Sequence, residues 1–181
     1  MKQITVIETE FDGYRFRSRL EAKWAYVFKK MFNHYDYEFE GYILDSGKYL
    51  PDFYIKEMDL FIEIKPSFDN ITEYDLKRFY DFSKLFRFLL ICGQPSKQEM
   101  VLINNITTDS KTEFLTSCKE YSFHTICNDT DSFVCFSKNP LGGIHLIFSS
   151  DIYSYFISIL YKEALSERFD GKARKKNTFI Y

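Results

Sequence analysis

Between Ser18 and Phe32 the apolar residues Leu20, Trp24, Val27, Phe28 and Met31 recur at helical spacing. Ser18 offers a side-chain oxygen for the N-cap, and no Gly or Pro interrupts the run from Arg17 to Lys30. Downstream the period shortens. Residues 35–43, 48–55 and 59–65 read as three strands, with a bend at Gly41 and a turn at Ser46-Gly47. Upstream, residues 3–7 predict a short strand, followed by the turn signal Asp12-Gly13. A second helix is expected from about Thr72 to Leu85, with Leu76, Phe79, Tyr80 and Ser83 on one side. Phe86 to Cys92, closed by Gly93-Gln94-Pro95, reads as a buried strand, and Met100 to Ile103 as another. Beyond the loop signals Asn104-Asn105 and Thr107-Thr108, a short helix is expected over 112–121. A hairpin follows, joining 133–137 to 144–148, and a last helix from about Asp151 to Phe169. This order predicts an α/β fold around a central sheet. No linker, repeat or low-complexity tract divides residues 1–181, so a single domain is expected.

The densest signal is Leu50-Pro51-Asp52-Phe53-Tyr54-Ile55, a short connection, then Leu60-Phe61-Ile62-Glu63-Ile64-Lys65-Pro66. A hairpin that opposes Ile55 to Leu60, Phe53 to Ile62 and Asp52 to Glu63 gathers Phe53, Ile55, Leu60, Ile62 and Ile64 on one apolar face. The other face then carries Asp52, Glu63 and Lys65. A slip of one residue would part the two carboxylates and mix apolar with charged positions, so the hydrophobic pattern demands the register that joins them.

Composition narrows the classes without choosing among them. A hydrophobic fraction of 45% supports a packed core. The 20 Phe and 14 Tyr are a bias that AT-rich coding produces, compatible with a phage or mobile-element origin. A net charge of −2 gives no global attraction to nucleic acid, so any basic binding surface must be local. The polar N-terminus does not resemble a signal peptide, and no apolar run is long enough for a membrane span. A cytoplasmic protein with reduced thiols is expected, since Cys92, Cys118, Cys127 and Cys135 include no C-x-x-C pair. Cys118, His124, Cys127 and Cys135 lack zinc-ligand spacing, and no Gly-rich phosphate loop is present.

Two carboxylates opposed across a strand pair repel each other unless a cation lies between them. Oxygen donors of this kind suit hard divalent ions, Mg²⁺ or Mn²⁺. Lys65, two residues beyond Glu63, projects to the same side and can stabilise charge on a phosphoryl group. The same residues also fit an ordinary solvated hairpin face, on which Asp, Glu and Lys are common.

Pro51-Asp52 followed eleven residues later by Glu63-Ile64-Lys65 resembles the signature of the PD-(D/E)XK nuclease superfamily. Phe16-Arg17-Ser18-Arg19-Leu20-Glu21-Ala22-Lys23-Trp24-Ala25 is similar to the first-helix motif of its phage and bacterial members. Tyr37-Glu38, Gly41 and Tyr49-Leu50-Pro51-Asp52-Phe53-Tyr54 follow in the order expected there. Phe88–Pro95 resembles the next core strand, and Ala164 to Phe169 faintly resembles a closing helix. The likeness covers residues 13–66 well and continues in 88–95 and, faintly, 164–169, whereas 104–150 add nothing to it. It implies a restriction-endonuclease-like core, a central mixed sheet flanked by helices; the residues themselves add a C-terminal hairpin, helix and basic tail over 130–181.

By this resemblance Asp52 and Glu63 are metal ligands, joined by the Ile64 main-chain carbonyl and Glu21, and Lys65 is the catalytic lysine. The implied reaction is Mg²⁺-dependent hydrolysis of phosphodiesters, with Mn²⁺ as substitute, leaving 5′-phosphates. DNA rather than RNA is the expected partner. The alternative is a catalytically weak nucleic-acid-binding or regulatory module on the same fold. Ser18-x-x-Glu21 is also a capping box, which gives Glu21 a rival role. Arg17 matches the resembling arginine and is a candidate phosphate contact, with a salt-bridged surface arginine as its rival. Arg168, Arg174, Lys175 and Lys176 belong to the densest basic run and are candidates for backbone contacts to nucleic acid. Homodimerisation would coordinate two cuts, but no residue pattern establishes it.

Overall fold

A computed structural model of the chain describes residues 8–95, 98–103, 133–138, 144–149 and 155–169. The strand expected at 3–7, the helix expected at 112–121, and Cys118, His124, Cys127, Arg174, Lys175 and Lys176 lie outside the described residues.

The Asp12-Gly13 signal closes a hairpin between β1 (Thr9–Phe11) and β2 (Tyr14–Phe16), with φ of 50° and 84° at the two turn residues. Helix α1 (Arg19–Met31) starts where Ser18, in extended backbone, accepts a hydrogen bond from the Glu21 amide at 3.2 Å. Its apolar stripe buries Ala22, Trp24, Ala25, Val27, Phe28 and Met31.

The strand expected over 35–43 is two pieces, and so is the one expected over 48–55. β3 (Asp36–Tyr37) ends because Glu38 takes a left-handed conformation, φ 48°, which turns the chain out of the sheet. The excursion is a small hairpin of β4 (Tyr42–Leu44) and β5 (Gly47–Tyr49). Pro51, with no amide hydrogen to continue a ladder, lies between β5 and β6 (Phe53–Ile55). A single 3-10 turn at Lys56–Met58, closed by Asp59 at φ 45°, leads to β7 (Leu60–Lys65). The observed pairs Phe53–Ile62, Tyr54–Phe61 and Ile55–Leu60 are the register demanded by the apolar pattern.

Helix α2 (Glu73–Ser83), capped by Thr72, carries the chain across to β8 (Phe88–Cys92), which runs parallel to β7. β9 (Glu99–Ile103) adds an antiparallel strand beside β8. The sheet order is β3-β6-β7-β8-β9, a mixed five-stranded sheet. The expected C-terminal hairpin is present as β10 (Phe133–Lys138) and β11 (Ile144–Ser149). The last helix, α3, spans Tyr155–Ser166, and residues 167–169 continue without helical structure.

Both sheet faces are covered. Phe53, Ile55, Leu60, Ile62, Leu89 and Ile91 pack with α1 and with Leu160, Tyr161 and Ala164 of α3. On the opposite face Phe61, Phe88 and Leu90 pack with α2 and Tyr49. The chain is thus mixed α/β, with the sheet between helices. Among the described residues no helix is long and apolar enough to cross a membrane.

Candidate active site

Parallel pairing sets β7 and β8 with their carboxyl ends together, and the Gly93 amide donates to the Lys65 carbonyl at 2.9 Å. The antiparallel β6 begins at that same end, directly after Asp52. Helix α1 is tied there by Trp24, whose Nε1 donates to the Gly93 carbonyl at 3.0 Å. Crevices beyond the carboxyl ends of strands are common ligand sites in sheets of this kind. Asp52, Glu63, Lys65 and Glu21 all come to this end.

The hairpin face that carries these residues is not solvated. Phe61 shares it with Glu63, and Asp52 and Glu63 retain only 3% and 6% of their surface. The ordinary surface-hairpin alternative therefore fails on burial. Asp52 accepts from the Ile64 amide at 2.8 Å and pairs with Arg17 Nη2 at 2.6 Å. Glu63 accepts from the Tyr49 hydroxyl at 2.9 Å and pairs with Lys65 Nζ at 3.0 Å.

Burial pushes the Asp52 carboxyl well above the usual range, and repulsion from Glu63 and then Glu21 adds to it. The Ile64 amide and Arg17 pull the other way without prevailing. Burial raises Glu63 too, against Lys65 and the hydrogen bond from Tyr49. For Lys65 burial alone would favour the neutral amine, but Glu63, Asp75 and Asp52 raise its pKa above the ordinary value. The ammonium stays charged.

Glu21 does not complete the capping box, because its carboxylate reaches the Arg17 amide, one residue before the N-cap, and not the Ser18 amide. The Ser18 hydroxyl donates to Oε1 at 2.7 Å, while Oε2 accepts from the Arg17 amide at 3.2 Å and the Tyr37 hydroxyl at 2.6 Å. The same carboxylate lies near enough to Asp52 to raise its pKa, so the residue that ties down the segment before α1 also belongs to the acidic cluster. Arg17 takes the salt-bridged position, binding Asp52 and, through Nε, Glu38 Oε1 at 3.0 Å. Its side chain remains 56% exposed. Arg168 is exposed beyond the end of α3, at the margin of a cavity next to α1.

Sequence reasoning missed Asp75. Its carboxylate lies 3.3 Å from Lys65 Nζ and also pairs with Arg78, so Lys65 is held between Glu63 and Asp75. Burial works against the Asp75 charge, but hydrogen bonds from Thr72, with Lys65 and Arg78, bring its pKa down to about 2. The capping-box spacing Thr72-x-x-Asp75 was visible in the chain. Its meeting with Lys65 depends on the crossover that docks α2. Tyr37 and Tyr49 stand at positions of the resembling motif, but their hydrogen bonds to Glu21 and Glu63 arise only from tertiary packing.

Among the described residues no three His, Cys, Asp or Glu side chains form a ready-made metal cage. No family model, curated protein or solved structure matches this chain.

Proposed function

We propose that the chain is a metal-dependent nuclease with a restriction-endonuclease-like core, acting on DNA. The observation that carries this reading is the burial of two mutually repelling carboxylates, Asp52 and Glu63, beside a charged lysine. Packing alone would favour apolar residues there, and strongly perturbed acids gathered at a sheet end are characteristic of working sites.

The donor set suits Mg²⁺ or Mn²⁺. Mg²⁺ uses one or two carboxylates and completes its shell with water and substrate oxygens, so an all-protein cage is not required. Asp52, Glu63 and the Ile64 carbonyl would hold the ion, with Glu21 alongside Asp52. When bound, the ion would polarise the phosphoryl oxygen and make a coordinated water more acidic. The Ile64 amide and the Tyr49 hydroxyl fix the two carboxylates. Lys65, kept protonated between Glu63 and Asp75, offers an ammonium to the negative charge that grows on the phosphoryl group. Arg17, half in solvent and already at the acidic cluster, is placed to pair with a strand phosphate.

The test is a cleavage panel with Mg²⁺ and with Mn²⁺, using single-stranded, double-stranded and branched DNA and RNA. The expected products carry 5′-phosphates. Asp52→Ala, Glu63→Ala and Lys65→Ala should each abolish cleavage with the fold intact. Wild-type cleavage by Asp52→Ala would remove the site assignment. Strand binding without divalent-dependent cleavage would instead favour the regulatory-module alternative.

A further inference from the structure

Beside the acidic cluster, on the outer side of α1, a cavity of about 360 Å³ opens between α1, the segment after β8 and the end of α3. Arg19 and Lys23 line it from α1, Gln94 from the strand end, and Arg168 from beyond α3. Among the described residues Glu167 is the sole carboxylate in the lining, against three cations.

These cations differ from those of the neighbouring network. Arg15, Arg17, Lys29, Lys65 and Arg78 each have a carboxylate within ion-pairing distance. Among the described residues Arg19, Lys23 and Arg168 have none, although Glu167 shares their cavity. Three like charges facing one space repel until an anion enters. The walls are built on fixed elements: Trp24 joins α1 to Gly93, the residue before Gln94, and packs edge-on against Tyr161 of α3.

Position indicates which anion. Gln94 lies two residues beyond Cys92, the β8 residue that pairs with Lys65, while Arg19 and Lys23, each two residues from Glu21, leave α1 on its other side. The cavity and the carboxylates therefore border the same sheet end, one basic and one acidic. For a strand bound at the carboxylates, Arg19, Lys23 and Arg168 are cations at the same end of the sheet that can receive another of its phosphates. We infer that this cavity is a phosphate-binding subsite for the nucleic-acid strand. The inference rests on the nuclease reading. Guanidinium groups and the Gln94 amide are donors suited to phosphoryl oxygens. The phosphate is either an internal diester or the end group of a strand.

The test is fluorescence anisotropy of 3′-labelled oligonucleotides on the full chain in EDTA, over a range of salt. The comparison is wild type against a combined Arg19→Gln, Lys23→Gln, Arg168→Gln protein. Lys30→Gln, Lys48→Gln, Lys162→Gln serves as a control for charges outside the cavity, and thermal melts check each fold. The cavity variant should bind at least tenfold more weakly, with the slope of log affinity against log salt reduced by about 2–3. The control should stay within threefold of wild type. A preference for 5′-phosphorylated over 5′-hydroxyl strands, lost in the cavity variant, assigns the site to an end phosphate. Equal affinity for the two, lost together, assigns it to an internal diester. Equal weakening by the control, unchanged binding by the cavity variant, or no strand binding by wild type would overturn the subsite. Because binding is read without divalent ions, it is independent of Mn²⁺-driven cleavage. Cavity-dependent binding without cleavage removes the nuclease reading, whereas cleavage with unaltered binding removes only the subsite.

Discussion

Asp52→Asn should make the metal-free protein more stable, which is unusual for a substitution at a fully packed position. Asparagine preserves the shape and an acceptor oxygen for the Ile64 amide, 2.8 Å from the carboxylate in the native protein. It removes a charge that is 3% exposed and repelled by Glu63 and Glu21. Desolvating a carboxylate costs several kcal/mol. Charge-assisted hydrogen bonds offset about 1.5–3 kcal/mol each, less for one to a half-exposed partner such as Arg17. The raised pKa of Asp52 gives the sign of the balance: the folded state disfavours the ion. A gain of about 1–2 kcal/mol is expected at pH 8 in EDTA. At roughly 2–4 °C per kcal/mol for a chain of this size, the melt should rise by about 2–8 °C. The gain should fade as pH falls towards 4, where the unfolded aspartate also takes up its proton. Saturating Mn²⁺ should invert the order. At a hundred times its dissociation constant a ligand stabilises by about 2.7 kcal/mol, and Asp52→Asn should lose most of that. Differential scanning fluorimetry with EDTA and with Mn²⁺ reads both halves. A loss above about 2 kcal/mol in EDTA would refute the reasoning and make Asp52 a structural anchor for Arg17 and Ile64.

Lys65→Ala should reduce cleavage at least about a hundredfold while leaving the Mn²⁺-induced rise in melting temperature in place, since Lys65 is not among the proposed ligands. Phe53→Ala, emptying a fully buried site among Phe16, Phe28, Tyr35 and Tyr37, should cost about 3–5 kcal/mol in urea unfolding. Asp75 has its pKa lowered to about 2, so its contribution is complete above the ordinary carboxylate range and lost as pH falls through about 2. Asp75→Asn should therefore lower stability at pH 7 by about 1 kcal/mol after allowance for screening, and much less at pH 2, as followed by acid-denaturation curves. Gly47→Ala should destabilise by at least about 1 kcal/mol, because φ is +116°, a conformation in which a side chain is strained, while the exposed Tyr74 hydroxyl beside the added methyl can move aside.

Local chemistry made much of this protein legible in its sequence. The 3.6-residue stripe and Ser18 placed α1, and Thr72 opened α2 where a cap allows one. The alternation around Phe53 and Ile62 set the β6–β7 register, because a slip would carry every side chain to the wrong face. That register alone brought Asp52 to the side of Glu63 and Lys65. Tertiary structure decided what periodicity cannot encode. Glu38 breaks the strand expected over 35–43 through a single left-handed residue, which no hydrophobic pattern announces. Whether the charged face is solvated or covered lay outside the sequence, because a strand pattern reports which residues share a side, not what covers it. Helix α2 and the β4–β5 hairpin supply Phe79 and Tyr49, bury the carboxylates and thereby raise their pKa values. The same docking brings Asp75 to Lys65, and the joining of α1 to α3 gathers Arg19, Lys23 and Arg168 around one cavity. Spacing along the chain chose the residues, whereas burial and long-range neighbours, set only once the helices pack on the sheet, determined their charge states.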